Sequence, residues 1–298
     1  MLSRVILRDP QQNCWFEYKQ PRSVIQTKHI ADVAPMLAEI EGIVERDGLY
    51  AVGFVTYEAA AAFDSHRVTY SPAILPILCF GLFSERVRLD NLPHEPEKDL
   101  GEWQIETDSN AHEAHVLKLK QHIKAGNTYQ VNYTTRMWAD GCVDLGTFSR
   151  MAQLAPYGAY LDGEEFTIVS ASPELFFQRN DTRLLGKPMK GTAARGLSSK
   201  TDIEQAQWLR LSEKNQAENL MITDMVRNDL SRIAKKNSVQ VSDLFQVEQY
   251  PTVWQMTSTV TAESEVSMLD VFNALFPGAS ITGAPKKASM GYIKQYES

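Results

Sequence analysis

The sequence predicts a globular fold that mixes helices and strands, and three observations support this prediction. Hydrophobic residues make up 43% of the 298 residues and charged residues 22%, so the chain has enough apolar material for a core. Apolar runs of strand length occur, such as residues 50–57. Segments with helical spacing of apolar residues also occur, at 30–47 and 111–125. The length allows one large domain or two ordinary ones.

Composition and charge exclude several classes of protein. The 30 Lys and Arg residues against 37 Asp and Glu give a formal net charge of −7, whereas nucleic-acid binding usually needs a basic surface. The three cysteines are scattered, which argues against a disulfide scaffold and a cysteine-rich zinc site. No apolar signal region is visible at the start, and the longest apolar stretch, 72–83, is too short for a bilayer. We expect a cytoplasmic protein.

The distribution of histidine limits the chemistry of the second half of the chain. All 6 histidines lie in the first 122 residues. A catalytic site after that point therefore contains neither a Ser-His-Asp triad nor a histidine metal site. Carboxylates, lysine and an oxygen-ligated metal remain as candidates there.

The middle of the chain predicts a polar connection followed by a helix. Residues 84–110 are rich in charge and predict an excursion over the surface, with one edge strand at 102–106. Residues 111–125 predict a helix that ends at Gly126.

A strand is predicted at 128–137, where polar and apolar side chains alternate. Gln130, Asn132 and Thr134 share one face of this strand. A row of amides and a hydroxyl either lines a polar cavity or faces solvent, and periodicity alone favours solvent.

Two residues with possible catalytic chemistry follow. Glu174 stands between an apolar strand at 166–170 and another apolar run, where partial burial would raise its pKa and make it an acid or base. The alternative is an exposed glutamate at a strand bend. Lys190 stands among closely spaced glycines and a proline, where an amine of lowered pKa could act as a nucleophile. The alternative is an ordinary solvated lysine.

One long helix is predicted at 201–234, with a capping box formed by Thr201 and Glu204. Glu218 and Asp229 lie about 20° apart around its axis, on an otherwise apolar face. Buried acids need a partner, such as a cation, a metal or a hydrogen-bond donor. Asp229 could instead pair with Arg232 within the helix.

The last part of the sequence predicts two short helices, at 269–275 and 286–296, joined by a glycine-rich loop. The loop, 276–286, carries hydroxyls and leads directly into the second helix. Its backbone N–H groups and the positive helix end could bind an anion such as a carboxylate. The alternative is an ordinary turn between helices.

Five segments together resemble the chorismate-utilising enzymes, in the order and spacing of that family from about residue 111 onward. The subfamily they resemble most is aminodeoxychorismate synthase component I, because Lys190 lies in its proline-x-lysine-glycine-threonine motif, where anthranilate and isochorismate synthases typically have alanine. Gln130 stands where the water-adding members carry a lysine base, which favours ammonia as the nucleophile. The segments are 126–134, 170–175, 188–192, 217–229 and 276–286.

The resemblance implies a large α+β fold with two layered antiparallel sheets and outer helices. Residues 1–110 would contribute strands and a helix to that fold, and residues 111–298 would form the chorismate-binding catalytic region. The family normally continues for several dozen residues beyond this point, so we expect a chain truncated at its C-terminus.

The resemblance also implies a reaction. Chorismate would be aminated at C4 to 4-amino-4-deoxychorismate, in 4-aminobenzoate and folate biosynthesis, with Mg²⁺ as cofactor and Glu218 as a metal ligand. Lys190 would be the nucleophile and Glu174 the general acid or base. A separate glutamine amidotransferase would supply ammonia. The residues expected to bind the substrate are Gln130, Asn132, Thr192, Ser280, Thr282 and Gly283.

Two other functions remain open at this point. Anthranilate synthase component I shares the family motifs but not Lys190. A non-catalytic, truncated subunit that only docks a glutamine amidotransferase would fit a shortened chain.

Overall fold

The computed structural model describes residues 1–71, 74–93, 95–96, 98–152 and 155–297. The chain forms two compact units that interleave along the sequence. The first unit consists of Met1–Lys124, Tyr133–Pro173 and Met290–Ser298, and the second consists of Ala125–Asn132 and Glu174–Ser289. Two residues of the apolar stretch 72–83 lie outside the described residues. The assignment of roles to 1–110 and 111–298 stays a prediction.

The strands form antiparallel pairs throughout the described chain. They are β1 Leu2–Asp9, β2 Cys14–Lys19, β3 Ser23–Thr27, β4 Tyr50–Val55, β5 Leu78–Phe83, β6 Val87–Leu89, β7 Gln104–Ile105, β8 Gln130–Val131, β9 Met137–Trp138, β10 Tyr157–Gly163, β11 Thr167–Ser172, β12 Leu175–Asn180, β13 Arg183–Lys187, β14 Met189–Ala194, β15 Gln240–Gln249, β16 Val253–Glu263 and β17 Gly283–Ala284.

The helices complete a fold of the predicted α+β class, and that prediction is confirmed. They are α1 Ile30–Asp47, α2 Ala60–Phe63, α3 Ser109–Lys124, α4 Leu145–Ala152, α5 Ser199–Leu211, α6 Glu213–Ser231, α7 Met268–Leu275 and α8 Lys286–Tyr296. No helix in the described part of the chain is long and apolar enough to cross a membrane.

The first unit contains two layered sheets. One has five strands in the order β11-β10-β1-β2-β6, and the other has three in the order β3-β5-β4. Val5 and Phe16 of the five-stranded sheet share one core with Val52 and Phe83 of the three-stranded sheet. The opposite face of the five-stranded sheet is covered by α4, whose Phe148 packs in a second core with residues of β1, β2 and β10. Removal of these side chains from water supplies most of the stabilisation of such a layer.

The second unit is built on β16, which pairs with β13, β14 and β15. The half of β16 next to β13 is covered by α6 and α7, whose Leu230 and Leu275 pack with Leu184 and Val260. The half next to β14 packs against α5 through Leu209 and Met256. These helices therefore lie on one face of the sheet, and α6 passes next to β14.

The predicted single helix at 201–234 is wrong, because two helices, α5 and α6, meet at Ser212. The backbone of Ser212 is extended (φ −70°, ψ 105°), and its side chain accepts a hydrogen bond from the N–H of Asn215. Serine competes for local backbone bonds in this way and therefore favours the first position of a helix. The predicted capping box is also displaced: it is formed by Ser198 and Thr201 rather than by Thr201 and Glu204.

The predicted strand at 128–137 is realised only as two short pieces with different partners. β8 pairs with β17 in the second unit, and β9 pairs with β7 in the first. Thr134, between them, donates through its N–H and hydroxyl to Glu297 at 2.7 and 2.9 Å. Each partner strand lies far away in sequence. Alternation of polar and apolar residues therefore does not reveal where the chain changes partner. The predicted edge strand at 102–106 is observed as β7.

Candidate functional site

All nine predicted site residues lie in the second unit, although they come from separate parts of the chain. Two reach it through the short segment 125–132, and the others lie in 174–289. They are Gln130, Asn132, Glu174, Lys190, Thr192, Glu218, Ser280, Thr282 and Gly283.

Glu174 immediately precedes β12 and is half-buried. The Ser280 hydroxyl donates a 2.6 Å hydrogen bond to its Oε1 atom. Burial raises the pKa of this carboxyl, while the Ser280 bond, the Lys190 charge and a Met189 N–H bond oppose the rise. Of the two possibilities open from the sequence, the structure therefore corresponds to the partly buried acid of raised pKa.

Lys190 lies on β14 and is half-buried. Burial lowers the pKa of its amine, and the negative charges of Glu174 and Glu218 oppose the fall. The structure thus brings three of the predicted residues into one electrostatic group. An amine of lowered pKa and a carboxyl of raised pKa are groups of the kind that act as nucleophile and general acid.

A bulge in β14 sets the position of Lys190. Met189 faces Thr257 of β16, whereas Thr192 faces Gln255, so β14 has one residue more than its partner between these pairs. Gly191 adopts φ +104°, a left-handed conformation that side chains with a Cβ rarely adopt. Lys190 and Gly191 together therefore lie opposite Met256.

Glu218 is half-buried on α6, with the Lys214 ammonium 3.9 Å from its carboxylate. In the described part of the chain, no group of three or more His, Cys, Asp and Glu residues is arranged to hold a metal ion. Glu218 therefore offers one carboxylate, and a magnesium site here would need further oxygen ligands from substrate or water.

Asp229 has the cation partner that its apolar surroundings require, but the partner is Lys286 rather than Arg232. The Lys286 ammonium lies 2.9 Å from Asp229 Oδ2, and both side chains are nearly buried, at 11% and 13% exposure. Lys286 also donates to the Leu275 carbonyl at 3.0 Å. This ion pair joins the start of α8 to α6. The within-helix pair of Asp224 and Arg227 is observed.

The loop 276–286 connects two parts of the site. Its Ser280 contacts Glu174, and its β17 strand pairs with β8, which carries Gln130. Gly283 has φ +140°, and a Cβ atom there would lie 2.1 Å from the Gln130 carbonyl oxygen. Only glycine permits such close approach of the two backbones.

The amides and hydroxyls predicted to bind substrate differ in their surroundings. The Gln130 Oε1 atom is buried and has no hydrogen-bond partner in the described structure. Asn132 donates its backbone N–H to the Thr282 carbonyl at 2.8 Å. The Thr282 hydroxyl is buried and donates to the Gly278 carbonyl at 3.0 Å, and the exposed Thr192 donates to Gln255 at 3.0 Å. The hydroxyls of Thr192 and Thr282 are thus already bonded to protein atoms.

Sequence reasoning missed one buried polar residue near Lys190. Asn219, next to Glu218, is fully buried on α6 and donates to the Lys190 carbonyl. The available signal is its spacing: Asn219 precedes Ile222 and Leu230 on one helical stripe, where a polar side chain must find internal partners.

The buried ion pair gives a prediction about stability. Lys286→Met should lower the free energy of unfolding by about 3–5 kcal/mol, because it leaves the Asp229 carboxylate buried without its cation. The double variant that also carries Asp229→Asn should recover much of the lost free energy of unfolding. Urea unfolding of both single variants and the double variant measures the coupling, and additive losses in the double variant would contradict the ion pair.

Known proteins of similar sequence show the family of this chain. The family described as chorismate binding enzyme matches residues 3–298. Aminodeoxychorismate synthase component 1 of Escherichia coli (strain K12) is 31% identical over 278 residues, covering 83% of this chain and 61% of that protein. The protein of the same name from Salmonella typhimurium is 42% identical over 180 residues, 59% of this chain and 40% of that protein. The chain thus spans less than two thirds of these relatives.

Two solved structures share the fold. Anthranilate synthase component I from Streptococcus pneumoniae superposes with a TM-score of 0.81 at 19% identity, covering 99% of this chain and 77% of that one. The menaquinone-specific isochorismate synthase from Escherichia coli gives 0.67 at 14% identity, covering 99% and 73%. From the sequence match over nearly its whole length and this shared fold, the chain belongs to the chorismate binding enzyme family.

Proposed function

We propose that this chain aminates chorismate at C4, with ammonia as the nucleophile, and so produces 4-amino-4-deoxychorismate for 4-aminobenzoate and folate biosynthesis. The observation that supports this most strongly is the half-buried pair of Lys190 and Glu174, whose pKa values are displaced toward each other. Relatives named aminodeoxychorismate synthase add to it. Localisation in the cytoplasm is part of the same proposal.

Lys190 acts first, as the nucleophile. A lysine amine attacks carbon only when it is neutral, and burial lowers the pKa of Lys190, which increases its neutral fraction. The amine forms a bond to C2 of the chorismate ring. Both ring double bonds shift, from C1=C2 and C5=C6 to C1=C6 and C4=C5, and the bond from C4 to its hydroxyl oxygen breaks.

Glu174 supplies the proton for the departing hydroxyl, which leaves as water. Its burial raises the pKa of the carboxyl, so that more of it is protonated than of an exposed glutamate. The neutral amine and neutral acid together carry the same number of protons as the corresponding ion pair. The active form is therefore reached by moving one proton from Lys190 to Glu174.

Ammonia completes the reaction. It forms a bond to C4, both ring double bonds shift back, and the bond between C2 and Lys190 breaks. The Glu174 carboxylate accepts the proton that the new ammonium group loses. A covalent intermediate divides one difficult displacement into two easier steps. A separate glutamine amidotransferase is the proposed source of ammonia.

Gln130 supports ammonia rather than water as the final nucleophile. Its side-chain amide has no basic nitrogen near neutral pH, so it cannot remove a proton from water as a lysine would. Neutral ammonia is a much stronger nucleophile than neutral water, so it needs no such base before it attacks. Asn132, Ser280 and Gly283 are proposed to position the substrate together with Thr192 and Thr282.

Glu218 is the proposed ligand for Mg²⁺. Magnesium sites of this kind use one or two protein carboxylates, with substrate oxygens and waters as the other ligands. A bound Mg²⁺ would neutralise part of the negative charge of the chorismate carboxylates. Glu218 itself is suited to the role because it is only partly exposed and its Lys214 contact, at 3.9 Å, is loose.

The metal proposal predicts that Glu218→Gln raises the Mg²⁺ concentration needed for half-maximal chorismate binding by about 10-fold or more. Calorimetric titration of chorismate at several Mg²⁺ concentrations measures it without turnover. Glu213→Gln, on an exposed carboxylate of the same helix, is the matched control and should leave the requirement unchanged. An equal requirement in both variants would remove Glu218 from the site.

The reaction is tested by its product. With chorismate, Mg²⁺ and an ammonium salt, the chain should form 4-amino-4-deoxychorismate, identified by mass spectrometry after chromatography. Lys190→Ala and Glu174→Gln should each lower the rate by about 100-fold or more, since nucleophile and general acid contribute at least this much. Lys200→Ala, on an exposed lysine, should not change it.

Each alternative function has its own signature in this assay. Formation of 2-aminobenzoate would support anthranilate synthase instead. Binding of a glutamine amidotransferase by a folded chain that turns over no chorismate would support the non-catalytic subunit. Either result would contradict the proposed amination.

The proposed protonation states of Lys190 and Glu174 predict a bell-shaped pH dependence of kcat/KM. Activity should fall at low pH, where both groups are protonated, and at high pH, where both are deprotonated. Ser280→Ala should shift the acid limb to higher pH, because falling pH protonates the carboxylate of the ion pair and the Ser280 hydroxyl lowers the pKa of that carboxyl. A shift to lower pH would contradict the assigned role of Glu174.

A further inference from the structure

The bulge at Lys190 brings two backbone carbonyls, those of Lys190 and Met256, within reach of one buried side chain. Because Lys190 and Gly191 together face Met256, regular pairing of β14 with β16 is interrupted at this point. Asn219 on α6 bonds to a carbonyl on each of the two strands. Asn219 Nδ2 donates to the Lys190 carbonyl at 3.2 Å and to the Met256 carbonyl at 3.0 Å. The amide of Asn219 thus links β14 to β16 at the bulge.

The orientation of the Asn219 amide is itself fixed. Its Oδ1 atom accepts from the Ser258 hydroxyl at 2.6 Å and is 3.3 Å from the Thr223 hydroxyl. Thr223 also donates to the Asn219 carbonyl at 2.7 Å. Since carbonyl oxygens can only accept, the amide nitrogen must face Lys190 and Met256. Asn219 is fully buried, so water cannot substitute for these bonds.

Gly191, the second residue of the bulge, permits its backbone conformation. An added Cβ atom would lie 3.1 Å from the Met256 Cβ and 3.2 Å from the Asn215 Cβ. Together with φ +104°, this crowding means that a residue with a Cβ atom would be strained at this position. The direction of the Lys190 side chain therefore depends on a carbonyl held by Asn219 and on a glycine that permits the turn.

We propose that Asn219 is a positioning residue for Lys190: its amide holds the bulged backbone so that the Lys190 amine is directed toward Glu174 and Glu218. This proposal rests on the proposed role of Lys190 as nucleophile. Asn219 touches no reacting atom in it and acts only through the backbone of Lys190.

The kinetic test separates positioning from general stability. Asn219→Ala should lower kcat by about 100-fold with KM changed by less than about 3-fold, because displacing a reacting group by about 1 Å costs that much. Thr223→Val is the matched control: it removes a hydroxyl from the same buried network but leaves both amide donors on the carbonyls. It should lower the melting temperature while kcat changes by less than about 3-fold.

A second variant covers the case in which Asn219→Ala does not fold. Asn219→Asp keeps the volume and the acceptor for Ser258 but removes the donor to Lys190, and it should show the same loss of kcat. Equal losses of kcat in the Asn219 variants and in Thr223→Val would assign Asn219 a merely structural role and overturn the proposal.

A substrate-free measurement distinguishes failure of this inference from failure of the proposed function. In crystal structures of the variants, the Lys190 Nζ atom should move by more than about 1 Å in Asn219→Ala and by less in Thr223→Val. Movement in a chain that turns over no chorismate in any form would leave the positioning role intact and refute the function. Normal turnover with an unmoved Nζ atom in Asn219→Ala would refute the positioning role alone.

Discussion

Burial of the Lys190 amine and the Glu174 carboxyl is the interaction on which the rest of the account depends. Removal from water disfavours the charged form of both groups, so the pKa of the amine falls and that of the carboxyl rises. Their mutual attraction opposes both shifts. The two groups are therefore brought toward a state in which one proton can pass between them, and this state is what a nucleophile with an adjacent acid requires.

Such an arrangement is unfavourable for stability and must be held by its surroundings. Glu174 accepts a short hydrogen bond from Ser280 of the loop 276–286. The buried ion pair of Asp229 and Lys286 connects that loop to α6. The Lys190 side is held by α6 through Asn219. One helix thus supports both halves of the site, which explains why α6 carries several polar groups on a face that otherwise packs in the core.

Local patterns predicted the elements that depend on local forces. The helix predicted at 30–47 has the bounds of α1. The helix predicted at 111–125 from apolar spacing and a glycine stop is observed as α3. The break at Ser212 was missed because a serine cap competes with helix continuation through a single hydrogen bond. The strand predicted at 128–137 is longer than the observed β8 and β9, because these pair with segments far away in sequence. Asn219 was missed because its hydrogen bond to Lys190 depends on a bulge in β14, which the sequence of α6 does not reveal.

Intact mass of the chain after incubation with chorismate and Mg²⁺, without ammonia, tests the central claim most directly. Without ammonia the second step cannot occur, so the intermediate should remain on the protein. We expect an added mass of chorismate less one water, mapped by peptide analysis to Lys190 and missing in Lys190→Ala. An unmodified, folded wild-type chain that nevertheless forms 4-amino-4-deoxychorismate once ammonia is added would contradict it, as would an adduct on both proteins.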